Sequence, residues 1–176
     1  MKGLFEKKRI VFFIISMLSL SLNGPAWAKL EKVGYVDVAK VFDEYQKTKE
    51  NDAQLQAVGK KKEEERDAIV HEVRRLKDEQ ALLAEDQREK KQEAIDVKIR
   101  ELQEFDAGAR RELTEQRNQK VREIFKDIDG IVQQYGERKG YDLILNDRVL
   151  LYRNPAFDVT KDILEELNRS YQTKKK

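Results

Sequence analysis

The sequence predicts an α+β chain in which a long antiparallel α-helical hairpin, a coiled-coil arm, stands on a small β-body that other copies of the chain complete. Three observations predict it. Residues 46–139 are rich in Glu, Lys, Arg, Gln, Ala and Leu, the good helix formers, and no proline falls between Pro25 and Pro155. The apolar residues of that stretch recur at alternating steps of three and four, the spacing of a narrow coiled-coil seam. β-Branched and aromatic residues gather instead at the two ends, in VGYV, YDLILN and VLLY.

The chain opens MKGLFEKKR, continues with the apolar run IVFFIISMLSLSL and reaches NGPAWA. A basic head, a short apolar core and an A-x-A site describe a secretory signal peptide, residues 1–28, cleaved after Ala28. The run is too short for a good membrane span. Cleavage leaves 32 basic and 33 acidic residues, so the formal charge of +2 belongs to the signal. A near-neutral remainder gives no reason to expect a nucleic-acid partner. The absence of cysteine excludes disulfides, thiolate metal sites, a cysteine nucleophile and a lipidated cysteine. Residues 29–176 form a single unit: a body from 29–45 and 136–170, an arm over about 46–135, and a basic tail at 171–176.

In KVGYVDVAKVFDEY the strand Val33–Val36 meets Asp37, a helix N-cap, after which Val38, Val41, Phe42 and Tyr45 make one apolar face. The arm's seam is then traced by Ile69, Val73, Leu76 and Leu83, by Ile95, Ile99, Leu102 and Leu113, and by Val121, Ile124, Ile128 and Tyr135. The step from Leu113 through Arg117 to Val121 breaks the heptad, which predicts local unwinding. Apolar positions mirror one another about residue 89: Leu83 with Ile95, Leu76 with Leu102, Phe42 with Tyr135. That symmetry predicts a hairpin with its tip at residues 85–91 and arms of about 43 residues, about 65 Å long.

Gly136 and Gly140 offer the second arm helix places to stop. Residues 141–146 and 149–152 read as strands, joined by a tight turn at Asn146, Asp147 and Arg148. Asn154-Pro155 breaks the chain, Asp158 or Thr160 caps a last helix, and Val159, Ile163, Leu167 and Tyr171 recur along it every four residues. The expected body core is Val33, Tyr35, Val36, Val41, Phe42, Leu143, Leu145, Val149, Leu151, Ile163 and Leu167. Three short strands under one helix are marginal alone, so copies should join.

Catalysis finds no support in the residues. His71 is the single histidine and lies among polar helical residues, and the tract AVGKKKEEE lacks the upstream glycine and the Ser/Thr of a phosphate-binding loop. No metal, cofactor or enzymatic activity is expected.

The segments VGYVDVAKVFDEY and GYDLILNDRVLLYRNPAFDVTKDILEELN, flanking a long charged helical middle, resemble the Skp (OmpH-like) family of periplasmic chaperones over essentially the whole chain after the signal. The resemblance implies a homotrimer whose strands form a β-barrel-like body with three arms around a cavity. It also implies an ATP-independent, periplasmic holdase for unfolded outer-membrane β-barrel proteins. Val58, Ile69, Val70 and Leu82 are the candidate client contacts, because they cannot all face one partner helix. Between Gly59 and Lys120 stand 16 basic and 17 acidic residues, unlike the basic arms of familiar members. No lipopolysaccharide site is therefore carried over, and membrane contact is left open. The alternative is a structural coiled-coil scaffold of the envelope without holdase activity; the periodicity fits both, and only the resemblance separates them.

Overall fold

In the computed structural model, which describes residues 31–175, β1 (Val33–Val36) runs directly into α1 (Val38–Glu44). Asp37 makes the switch: its carboxylate accepts the Lys40 amide at 2.8 Å, the expected N-cap. Tyr45 is extended, at ψ 130°, and separates α1 from α2 (Gln46–Ala81). After residues 82–84, α3 (Glu85–Lys139) returns along α2. Gly140 ends it in the left-handed conformation at φ 68°, and the Tyr141 amide closes on the Gly136 carbonyl at 2.9 Å. Next come β2 (Leu143–Asn146), 3-10 turns at Asp147–Val149 and Pro155–Phe157, and α4 (Thr160–Lys175). The expected signal peptide lies outside the described residues.

β1 and β2 pair in parallel, Val33 opposite Leu143 and Val36 opposite Asn146. Parallel strands need a crossover, and here the entire arm is that crossover. Among the described residues the other edge of β1 is met at one point, a bridge from Tyr35 to Asp158 in which the Val159 amide donates to the Tyr35 carbonyl at 2.9 Å. Glycine at position 34 lets the Tyr141 ring lie against β1: a Cβ there would stand 2.9 Å from it.

One cluster forms the core: Val36, Val41, Tyr45, Ile124, Ile128, Tyr135, Val159, Ile163 and Leu167. It brings α1, the base of α3 and the inner face of α4 together, and Val41 and Ile163 are wholly buried. Truncating an aliphatic side chain at such a site costs about 2–5 kcal/mol.

Several expectations are corrected. Residues 149–152 form no strand: Asn146 caps a 3-10 turn by accepting the Arg148 amide, and Leu151 and Tyr152 project outward at 109% and 82% exposure. The described chain therefore has a two-stranded sheet, because a β-prone segment at an edge pairs only if another strand meets it. The hairpin turn is at residues 82–84 rather than 85–91. Glu85 and Asp86 sit instead in the first turn of α3, where the helix dipole favours acids. The turn is clasped by Arg88 Nε donating to the Leu83 carbonyl at 2.9 Å. The earlier turn moves the facing register towards the start of α3, by more than one helical turn. Thus Gln80 meets Gln92, and Phe42 stacks on Phe125 rather than standing opposite Tyr135. At the C-terminal end of the described chain α4 continues through Lys175, whose ammonium meets Glu50 at 2.8 Å.

Candidate functional site

Packing along the arm is concentrated at its two ends. Val73, Leu76 and Ile95 are buried near the turn, and Ile124 and Ile128 at the base. Between residues 52 and 72 no side chain of α2 is buried. Cross-links of polar groups hold that stretch: Lys62 to Glu112 at 3.1 Å, Arg66 to Asp106 at 3.0 Å, and Lys120 to Gln54 at 2.9 Å. Glu112 holds the Lys62 ammonium above the usual lysine range. Exposed pairs of this kind contribute little each, so the middle of the arm is weakly zipped. An open groove of about 510 Å³ lies on the body, while the mid-arm carries one of about 420 Å³ whose lining includes Lys62, Arg66, Phe105, Ala109 and Leu113.

The candidate arm contacts are strung out rather than gathered. Val58, Ile69 and Val70 are half-buried along α2, and Leu82 stands in the turn at 88% exposure. Three other apolar side chains offer surface that the seam pattern misses: Val97, Phe105 and Phe125. The signal for Val97 is present in the sequence, since it lies two residues beyond buried Ile95 and so points away from the seam. Phe125 is paired with Phe42, ring centroids 5.3 Å apart, on the outside of the arm's base.

The candidate body residues divide into two groups. Tyr35, Val36, Val41, Ile163 and Leu167 are buried within the chain, with Phe42 half-buried beside them. Val33 and Leu145 are half-buried, Leu143 is exposed, and Val149 and Leu151 are more exposed still. With Tyr152 and Phe157, Val33 and Leu145 make an apolar face, and Leu143, Val149 and Leu151 add exposed apolar surface in the same segments. A notch of about 130 Å³ opens into this face between Val33, Tyr35, Leu145, Leu150, Tyr152 and Phe157. Beside it, Asp147 pairs through one carboxylate oxygen with Arg153, and its other oxygen is buried with no hydrogen bond among the described residues.

At the arm's base the phenols of Tyr45 and Tyr135 are buried, and burial first, then the carboxylates of Asp127 and Asp162, raises both above the ordinary tyrosine value. Glu50 is held below the usual carboxylate range by hydrogen bonds from Lys175 and Tyr171. These shifts mark structural contacts between elements; none lies in an enclosed cleft. Among the described residues no group of His, Asp and Glu is arranged to hold a metal ion. His71 is exposed on α2. No described helix is long and apolar enough to cross a membrane.

Comparison with known proteins places this architecture. A solved structure from Caulobacter crescentus, described as an OmpH-like outer membrane chaperone, superposes with a TM-score of 0.68 at 19% identity over 85% of this chain and 91% of that one. The Chaperone protein Skp of Vibrio cholerae is 26% identical over 162 residues, 86% of this chain and 92% of its own length. A family model described as Outer membrane protein (OmpH-like) matches residues 32–167, from the residue before β1 to buried Leu167 in α4. The chain belongs to the OmpH-like (Skp) family.

Proposed function

We propose that this protein is an ATP-independent periplasmic holdase that binds unfolded outer-membrane β-barrel proteins and prevents their aggregation. The observation that carries the reading is the arm: long, thin, and zipped by ion pairs through a middle where no α2 side chain is buried. Apolar side chains are offered singly along it, at Val58, Ile69, Val70, Leu82, Val97 and Phe105. Many weak, separated contacts keep an unfolded chain from aggregating without trapping it, which one deep pocket would do. The family and the name of the Vibrio relative support a chaperone role.

The working unit in this reading is a homotrimer joined through the body. A sheet of two four-residue strands is marginal alone. The exposed apolar surface of Leu143, Val149, Leu151, Tyr152 and Phe157, with the notch, suits a second copy.

The test is dilution of a urea-unfolded outer-membrane barrel protein into buffer with the mature chain at stoichiometric amounts and no ATP. Suppressed light scattering is expected. A variant lacking residues 60–114, closed by a short turn, should remain trimeric by sedimentation and lose the holding. A trimer that leaves aggregation unchanged would favour the scaffold alternative and overturn the holdase.

A further inference from the structure

Glu50 lies little more than one turn into α2 beyond the break at Tyr45. Its carboxylate receives Gln46 Nε2 at 3.0 Å from its own helix, and the Tyr171 hydroxyl and Lys175 Nζ, each at 2.8 Å, from the end of α4. Gln46 is gripped as well: its backbone amide donates to Asn168 Oδ1 at 2.9 Å and its side-chain oxygen accepts from Gln172 at 3.2 Å. The Tyr171 ring stands edge-on to Tyr45, centroids 5.8 Å apart. One half of α4 is thus sunk in the body through Val159, Ile163 and Leu167, and the other half is fastened to the first turns of the arm.

The place it spans has a break in one helix and a glycine in the other. At Tyr45 the helical path is interrupted, so α1 and α2 are joined by a single extended residue. On the opposite helix, Asp127 takes Lys47 Nζ at 2.7 Å, and Gly130 follows within one turn with nothing against the position of a Cβ. Glycine inside a helix weakens it relative to alanine. Just beyond, the α2–α3 contact buries Thr48 and Asn51, and Thr48 Oγ1 and Asn51 Nδ2 make no hydrogen bond among the described residues. Buried polar atoms without a partner cost stability at that contact, offset in part where Lys120 Nζ donates to Asn51 Oδ1 at 3.1 Å.

We propose that the last turns of α4 are a strap that fixes the angle at which the arm leaves the body, and that freeing Tyr171 and Lys175 from Glu50 lets the arm swing about Tyr45. The strap works within one chain and goes beyond the chaperone reading, since it holds with or without a client. In an assembly it sets how far apart the arm tips stand.

The chain has no cysteine, so spin labels can be placed at will. Labels at E89C near the turn and K161C on the body, in protein diluted with an excess of unlabelled chain, report the distance within one subunit. In Y171F/K175A the distance distribution should broaden about twofold, and amide exchange over residues 46–54 should quicken about tenfold, while exchange at Ile128 and Ile163 holds. The charge swap E50K/K175E should restore a narrow distribution. An unchanged width in Y171F/K175A, exchange that quickens equally through the body, or a swap that stays broad would each overturn the strap.

Discussion

The backbone amide of Asp37 donates to the hydroxyl of Thr160 at 2.9 Å, so the residue that caps α1 is tied to the residue that begins α4, 123 positions later. Thr160 is buried, and its own amide donates to Asp158 Oδ1 at 2.8 Å. One hydroxyl therefore fastens two helix starts that flank the arm in sequence. Thr160→Val keeps the shape and removes the acceptor, leaving the Asp37 amide without a partner. The expected cost is about 1–3 kcal/mol, read from urea unfolding at one fixed protein concentration because assembly contributes to stability. Thr160→Ser should recover most of it.

Gly34 and Tyr141 set a second limit. The Tyr141 ring lies over Gly34 while stacking on Tyr135, centroids 5.7 Å apart, with Lys32 Nζ 4.3 Å from its centre. Gly34→Ala forces this ring to move, and Gly34→Val more so. Overpacking of this kind costs about 1–3 kcal/mol, and thermal unfolding should rank the variants wild type, Ala, Val. An alanine variant as stable as wild type would mean that the ring gives way freely.

What was legible in the sequence is what short-range pattern decides. Asp37 before a helical face, Gly140 after a helix, and Val159, Ile163 and Leu167 at steps of four each announce their element locally. The arm's existence follows from its spacing, but its register does not. A seam of threes and fours has neighbouring alignments of similar apolar content, and pairs such as Arg66 with Asp106 and Glu79 with Lys91 settle which is taken. Residues 149–152 carry strand propensity that a lone chain does not use, because pairing at an edge needs a second strand. Among the candidate contacts, Leu82 was visible as apolar, but its exposure comes from the turn falling at residues 82–84.

Leu151 and Ile163 allow the assembly face to be tested apart from the fold. Leu151 is fully exposed and Ile163 fully buried. Leu151→Glu removes no contact within the chain but places a charge in the exposed apolar surface. The proposed trimer should dissociate by at least about tenfold at a given concentration, since burying an unpaired charge at an interface is strongly unfavourable. Sedimentation measures the dissociation, and circular dichroism should show the helices retained. Ile163→Ala, by contrast, should lower unfolding stability by about 2–5 kcal/mol as a core truncation does. If Leu151→Glu stays trimeric, the copies meet elsewhere.

Alkaline pH should open the base of the arm. Tyr45 and Tyr135 are buried, and each donates to a carboxylate, at 3.4 Å to Asp127 and 2.6 Å to Asp162. Ionising either phenol places a second negative charge beside the first in a site with little water, which is why both are raised from the ordinary value of 10.0. A group whose folded value lies above its unfolded one contributes stability that is complete below the unfolded value and is lost as pH rises towards the folded one. The unfolding midpoint should therefore be flat with respect to these phenols through neutral pH and fall once pH passes about 10. Trp27 is the only tryptophan and lies in the expected signal, so tyrosinate absorbance after cleavage follows the six tyrosines together, and its difference between wild type and Tyr135→Phe isolates one of them. Tyr135→Phe should remove one proton's share of the alkaline slope, at the cost of a hydrogen bond to Asp162 at neutral pH. A wild type and a Tyr135→Phe variant with the same slope above pH 10 would show that this phenol ionises without opening the fold.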